Sequence, residues 1–108
     1  MGQTVLATRQ VPVSSGTGIT RVISNITTTT TGLAVANTDY IYLCSGTFTI
    51  TLPTAVGNTN LYTLKNISTG TITVAFTSGQ TGDGNTTIQL TQNQLIGLVS
   101  NNTNYFII

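Results

Sequence analysis

Apolar and hydroxyl residues alternate along most of this chain. Phe48, Ile50 and Leu52 alternate with Thr47, Thr49 and Thr51. Ile72, Val74 and Phe76 alternate with Thr71, Thr73 and Ala75. A strand sends successive side chains to opposite faces, so each run predicts a strand with one apolar and one hydroxyl face. Residues 61–67 repeat the plan, with Tyr62 and Leu64 on one face and Thr63 and Lys65 on the other. Further strands are expected over residues 20–26, 86–90 (Ile88 and Leu90 inward), 95–100 and 105–108. No segment carries the helical period.

Residues 39–53 organise this pattern. They read as two strands joined at Ser45-Gly46, since Gly46 accepts a positive φ without a Cβ clash. Pro53 ends the second strand because it has no N–H for the ladder. Residues 54–60, 66–70 and 77–85 read as loops and turns, and residues 101–104 as the turn of a last hairpin. Short strands at regular spacing predict an all-β fold. The expectation is a small antiparallel β-sandwich, jelly-roll-like, over residues 19–108.

Residues 1–18 differ in texture. Val5, Leu6, Val11 and Val13 are scattered without a steady period, and Pro12 holds the centre extended. A Ser/Gly-rich hinge, residues 14–18, follows. This segment is expected to be an extended N-terminal arm that docks on a neighbour. Val5, Leu6, Arg9, Val11, Pro12 and Val13 are its candidate contact residues.

Composition narrows the function classes. Hydrophobic residues make up 39% of the 108 residues but charged residues only 5%, and the net charge is +1. Solubility must then rest on Thr, Asn, Ser and Gln, and so little charge favours association. Arg9, Arg21 and Lys65 are too dispersed for a nucleic-acid footprint. No run approaches the ~20 apolar residues of a membrane helix. Neither nucleic acid nor membrane is expected as a partner.

The chemical inventory is short. Asp39 and Asp83 are the only carboxylate side chains, and both sit at expected strand–turn boundaries, where Asx turns are usual. No His is present, and Cys44 lies among apolar neighbours as a small buried hydrophobe. A calcium site at Asp83-Gly84-Asn85 would have one carboxylate, too little charge for tight binding. The glycines of residues 79–84 lack the Lys and helix of a phosphate loop. Tyr40, Tyr42, Tyr62 and Tyr105 are either an interface or ligand platform or core residues with hydroxyls at the rim; the second reading is preferred. No catalytic residue, metal or cofactor is expected, and the protein is not expected to be an enzyme.

From Gly32 to Ile108 the chain resembles the small β-domains of tailed-bacteriophage virion proteins: capsid decoration proteins, head fibres and tail-fibre tips. The resemblance rests on Asp39-Tyr-Ile-Tyr-Leu, Thr49-Ile-Thr-Leu-Pro, Leu61-Tyr-Thr-Leu-Lys-Asn, Gly70-Thr-Ile-Thr-Val, Gly82-Asp-Gly and Asn104-Tyr-Phe-Ile-Ile. It implies a β-sandwich that assembles as a homotrimer on the virion. Fibre proteins are normally long, with this domain at the end, whereas here only a short arm precedes it. If the chain is complete, its length fits a stand-alone decoration (cement) protein on the capsid surface; if it is an excised fragment, a fibre tip is the better reading. Its expected partners are itself and the major capsid protein, with the arm as clamp. The alternative is a head- or tail-fibre tip that binds a host-surface receptor through its loops.

Overall fold

A computed structural model of the chain describes residues 20–33 and 38–108. The described residues contain nine strands and no helix. They are β1 (Thr20–Ile26), β2 (Thr30–Thr31), β3 (Thr38–Cys44), β4 (Phe48–Thr51), β5 (Tyr62–Asn66), β6 (Ile72–Ala75), β7 (Thr87–Leu90), β8 (Leu95–Ser100) and β9 (Tyr105–Ile107). They form two sheets packed face to face. The five-stranded sheet runs β9-β8-β5-β3-β1 and the four-stranded sheet β2-β4-β6-β7. The all-β, two-sheet architecture expected from the alternation is present.

The pairing within the sheets departs from expectation. β1, β3 and β5 pair in parallel, as do β2, β4 and β6. Only the last strands are antiparallel: β6 with β7, β5 with β8, and β8 with β9. The chain alternates between sheets, from β1 to β2, β3 to β4 and β5 to β6, so each pair of strands is one coil of a short solenoid. Thr20 lies beside Thr38 and Tyr40 beside Tyr62, a repeat of 18 to 22 residues. The two-sheet sandwich stands, and only its pairing is corrected, from antiparallel to mixed: three stacked parallel coils closed by an antiparallel end.

The reason is visible at Ser45-Gly46. Gly46 does have a positive φ, 139°. The turn, however, carries the chain across to the other sheet instead of folding β4 back on β3. Its hydrogen bonds go to adjacent coils: Ser45 N–H donates to Ile26 O at 3.0 Å, and Ile67 N–H donates to Cys44 O at 2.9 Å. The next corner locks on in the same way, with Gly46 N–H donating to Ser68 Oγ at 2.9 Å. Period-two strands and a glycine turn are common to both arrangements.

The core lies between the sheets. Tyr42, Cys44, Tyr62, Leu64 and Leu98 from one sheet meet Ile50, Ile72, Val74 and Leu90 from the other, all buried. Each such side chain contributes about 1.5–3 kcal/mol by leaving water. The inward positions stack across coils in register, Tyr40 beside Tyr62 and Ile50 beside Val74.

Candidate functional site

The chemistry-bearing residues do not converge. Among the described residues no group of three or more His, Cys, Asp or Glu could hold a metal ion. No helix among them is long and apolar enough to cross a membrane. Asp39 lies in β3 beside Arg21 of β1 in register. Asp83 lies in the loop before β7, where one carboxylate oxygen accepts the Ile107 N–H at 3.0 Å. That bond reaches β9 and is not the local Asx turn expected of this residue. Cys44 is fully buried and unpaired with another sulfur. Its thiol donates weakly to Tyr42 O at 3.8 Å, and burial pushes its pKa up to about 11.

The tyrosines divide as core residues. Tyr62 and Tyr105 are fully buried, Tyr42 is nearly so, and Tyr40 is half-buried against the core. Tyr40 stacks on Tyr42 and Tyr62 at ring-centroid distances of 5.6 and 6.5 Å. Tyr105 meets Tyr62 edge-on at 6.3 Å. Their hydroxyls are tied to the loop after β4. Asn58 Nδ2 donates to Tyr62 and Tyr105 at 2.9 and 3.0 Å, and the Tyr105 hydroxyl donates to Pro53 O at 2.9 Å. Burial raises the Tyr105 pKa well above its usual value; Tyr62 adds to the rise and the Asn58 hydrogen bond opposes it. Asn58 and Asn60, buried at this network, carried no signal in the sequence beyond lying in an Asn-rich loop. The arrangement fixes the loop and offers no free nucleophile.

What the fold exposes is surface of two kinds. On the outer face of the four-stranded sheet stand Thr31, Thr49, Thr51, Thr73, Thr87 and Gln89, alternating with the buried Ile50, Val74 and Leu90. On the outer face of the five-stranded sheet stand aliphatic residues. Ile23 of β1 aligns with Ile41 of β3, which aligns with Thr63 and Gly97. Asn25, Leu43, Lys65 and Leu95 form a second, mixed row. Val99 and Phe106 pair at the β8–β9 side. Ile108, whose N–H donates to Gly97 O at 2.9 Å, lies over Gly97. The alternation in β4 and β6 announced the hydroxyl face. The aliphatic face was hidden, because β3 and β8 are apolar on both sides.

The two ends of the stack also differ. Beside β9 runs the loop that precedes β7, so that Tyr105 N–H donates to Thr81 O at 2.8 Å and Asp83 N–H donates to Tyr105 O at 3.1 Å. With the Asp83 carboxylate on Ile107 N–H, this edge is occupied. Gly82 is at the crossing, where a Cβ would fall on the Phe76 ring. At the other end, no described strand pairs with the outer edge of β1, a seven-residue strand. Its Val22 and Ile23 are 36% and 62% exposed. The expected arm residues Val5, Leu6, Arg9, Val11, Pro12 and Val13 lie outside the described residues, immediately before this edge in sequence.

Comparison with known protein families, with curated proteins and with solved structures finds no match.

Proposed function

We propose that this protein is a structural component of a virion, a homotrimeric capsid decoration protein that docks on the major capsid protein through its N-terminal segment. The role is mechanical and involves no enzymatic step or cofactor. The observation that carries the reading is the contrast between the two ends of the stack. At the C-terminal end a loop and a carboxylate cover β9. At the N-terminal end, the edge of β1 has no partner among the described residues, although exposed edges are ordinarily short, charged or covered. An added strand from a neighbour would satisfy that edge through backbone hydrogen bonds, with side-chain pockets giving selectivity. Each contact is weak, but repetition over many capsid subunits multiplies it.

Removal of residues 1–18 tests the proposal. The truncated chain should keep its melting temperature and lose co-sedimentation with undecorated capsids. A truncated chain that still decorates capsids would remove the arm as clamp. A second reading, a fibre-tip domain for a host-surface receptor, is favoured by the covered β9 edge, since the last domain of a fibre must stop sheet growth. Binding of both chain lengths to bacterial cells but not to capsids would select it.

A further inference from the structure

We infer that residues 2–13 of this chain lie on the open N-terminal end of the stack as a fourth parallel coil, with residues 2–8 paired to the outer edge of β1. The inference concerns the free chain and goes beyond the virion reading. The core runs out uncovered at this end. In the inward row that crosses the five-stranded sheet, Leu98 and Tyr62 are fully buried, Tyr40 is half-buried and Val22 is 36% exposed. The backbone is open there too. Ser45 N–H donates to Ile26 O, so the even-numbered residues of β1 turn their backbone groups toward β3. Arg21, Ile23 and Asn25 turn theirs outward, where no described strand pairs with them. A stack of coils needs a terminal coil to close its core.

The register of the stack points to the occupant. Thr20 pairs with Thr38, a step of 18, and 19 residues precede Thr20 in this chain. One more step of 18 sets residues 2–8 beside Thr20–Ile26 and Pro12-Val13 beside Thr30-Thr31 of β2. In this register the N–H groups of Thr4, Leu6 and Thr8 meet the outward carbonyls of Arg21, Ile23 and Asn25, and no proline falls on the stretch paired to β1. Pro12 falls beside the first residue of β2, a strand position that tolerates the missing N–H. Leu6 covers the inward position beside Ser24, between Thr4 and Thr8. Such a mixed inward face suits a terminal coil, which has water on its far side. Residues 14–18 tether the segment at this edge, so it meets β1 at a far higher effective concentration than a strand from elsewhere. A coil covered on one side gains little beyond the entropy lost in ordering it. It therefore opens well below the melting temperature of the body, and its removal leaves that temperature unchanged. Docking on a capsid would lift the segment away and free β1.

The test compares the full chain with a chain lacking residues 1–18 by amide hydrogen exchange. The Ile23 and Asn25 amides should exchange about tenfold more slowly in the full chain, while Ser24, whose N–H faces β3, should not change. Equal exchange at Ile23 and Asn25 in the two chains would overturn the inference. A second route does not need the truncated chain to fold. Val5→Cys with Ile23→Cys, outward neighbours in the proposed register, should form a disulfide within one chain under mild oxidation. Val5→Cys with Thr63→Cys, two strands further across the sheet, should not; native Cys44 is buried and stays silent. Disulfides formed only between chains would give the edge to another copy and overturn the inference. A full chain that decorates capsids, with neither slowed exchange nor the intrachain disulfide, would overturn the inference and leave the virion reading standing. Slowed exchange and the intrachain disulfide, with no binding to capsids or cells, would uphold the inference and remove the virion reading.

Discussion

Asn66 holds the corner between β5 and the turn that follows. It is fully buried, at a position where the adjacent coil has Cys44 and the one beyond it Ile26. Its Nδ2 donates to Gly70 O and Leu90 O at 2.7 and 2.9 Å, and its Oδ1 accepts from Ser68 N–H and Oγ at 2.9 and 2.8 Å. A buried amide is tolerated only when its hydrogen-bonding capacity is used, and here it is. Asn66→Ala should therefore strand the Leu90 and Gly70 carbonyls and cost roughly 2–4 kcal/mol, read as a lower denaturant midpoint with an unchanged slope. Asn66 also stands in an Asn-X-Ser pattern, and its burial leaves no amide to modify in the folded chain.

The buried titratable groups give a second expectation at this scale. Cys44 rises from an ordinary 9.0 to about 11 in the fold, and Tyr105 rises in the same direction. In both cases the fold retains a proton that the unfolded chain has already released. Stability is thus fully present below about pH 9 and falls as pH rises toward about 11. Urea titrations across that window should show the fall, and Cys44→Ala should flatten its lower part. The thiol should also resist aqueous disulfide reagents at pH 8 until urea unfolds the chain.

Among the elements, the covered end is the part most sensitive to a single methyl group. The segment beside β9 runs so close to Phe76 that Gly82 has no room for a Cβ. Gly82→Ala should cost about 1–3 kcal/mol by overpacking. In a Phe76→Leu background the same substitution should cost less, and a double-mutant cycle by denaturant unfolding would show coupling above about 0.5 kcal/mol. Equal costs in both backgrounds would place the strain in the backbone instead of at the ring. The threonine face behaves oppositely. Thr49 and Thr73 are neighbours on adjacent strands with water on their outer side, so Thr73→Val should change stability by no more than about 0.5 kcal/mol.

For the molecule as a whole, coil stacking sets both folding and assembly. Each coil is paired to others 18 to 24 residues away, so little of the fold is local. Parallel, non-local pairing is slow to form, and refolding should take milliseconds to seconds, as stopped-flow fluorescence of the four tyrosines would report. If copies associate, the melting temperature must rise with protein concentration. A melting temperature that stays constant over a hundredfold dilution would count against association.

The sequence by itself determined the strands and which side chains face inward. Ile50, Val74, Tyr62 and Leu64 could be placed in a core because a strand has period two and one face must leave water. Cys44 and the tyrosines could be placed there because nothing near them offered other chemistry. Only the tertiary structure decided which strand pairs with which. Ser45-Gly46 can close a hairpin or turn a coil's corner, and the choice depends on whether its N–H groups meet the strand just made or the coil beside it; that partner lies some twenty residues away in the chain. The aliphatic outer face depends on the same decision. Ile23, Ile41 and Ile108 are far apart in sequence and become one surface only when the coils stack in register.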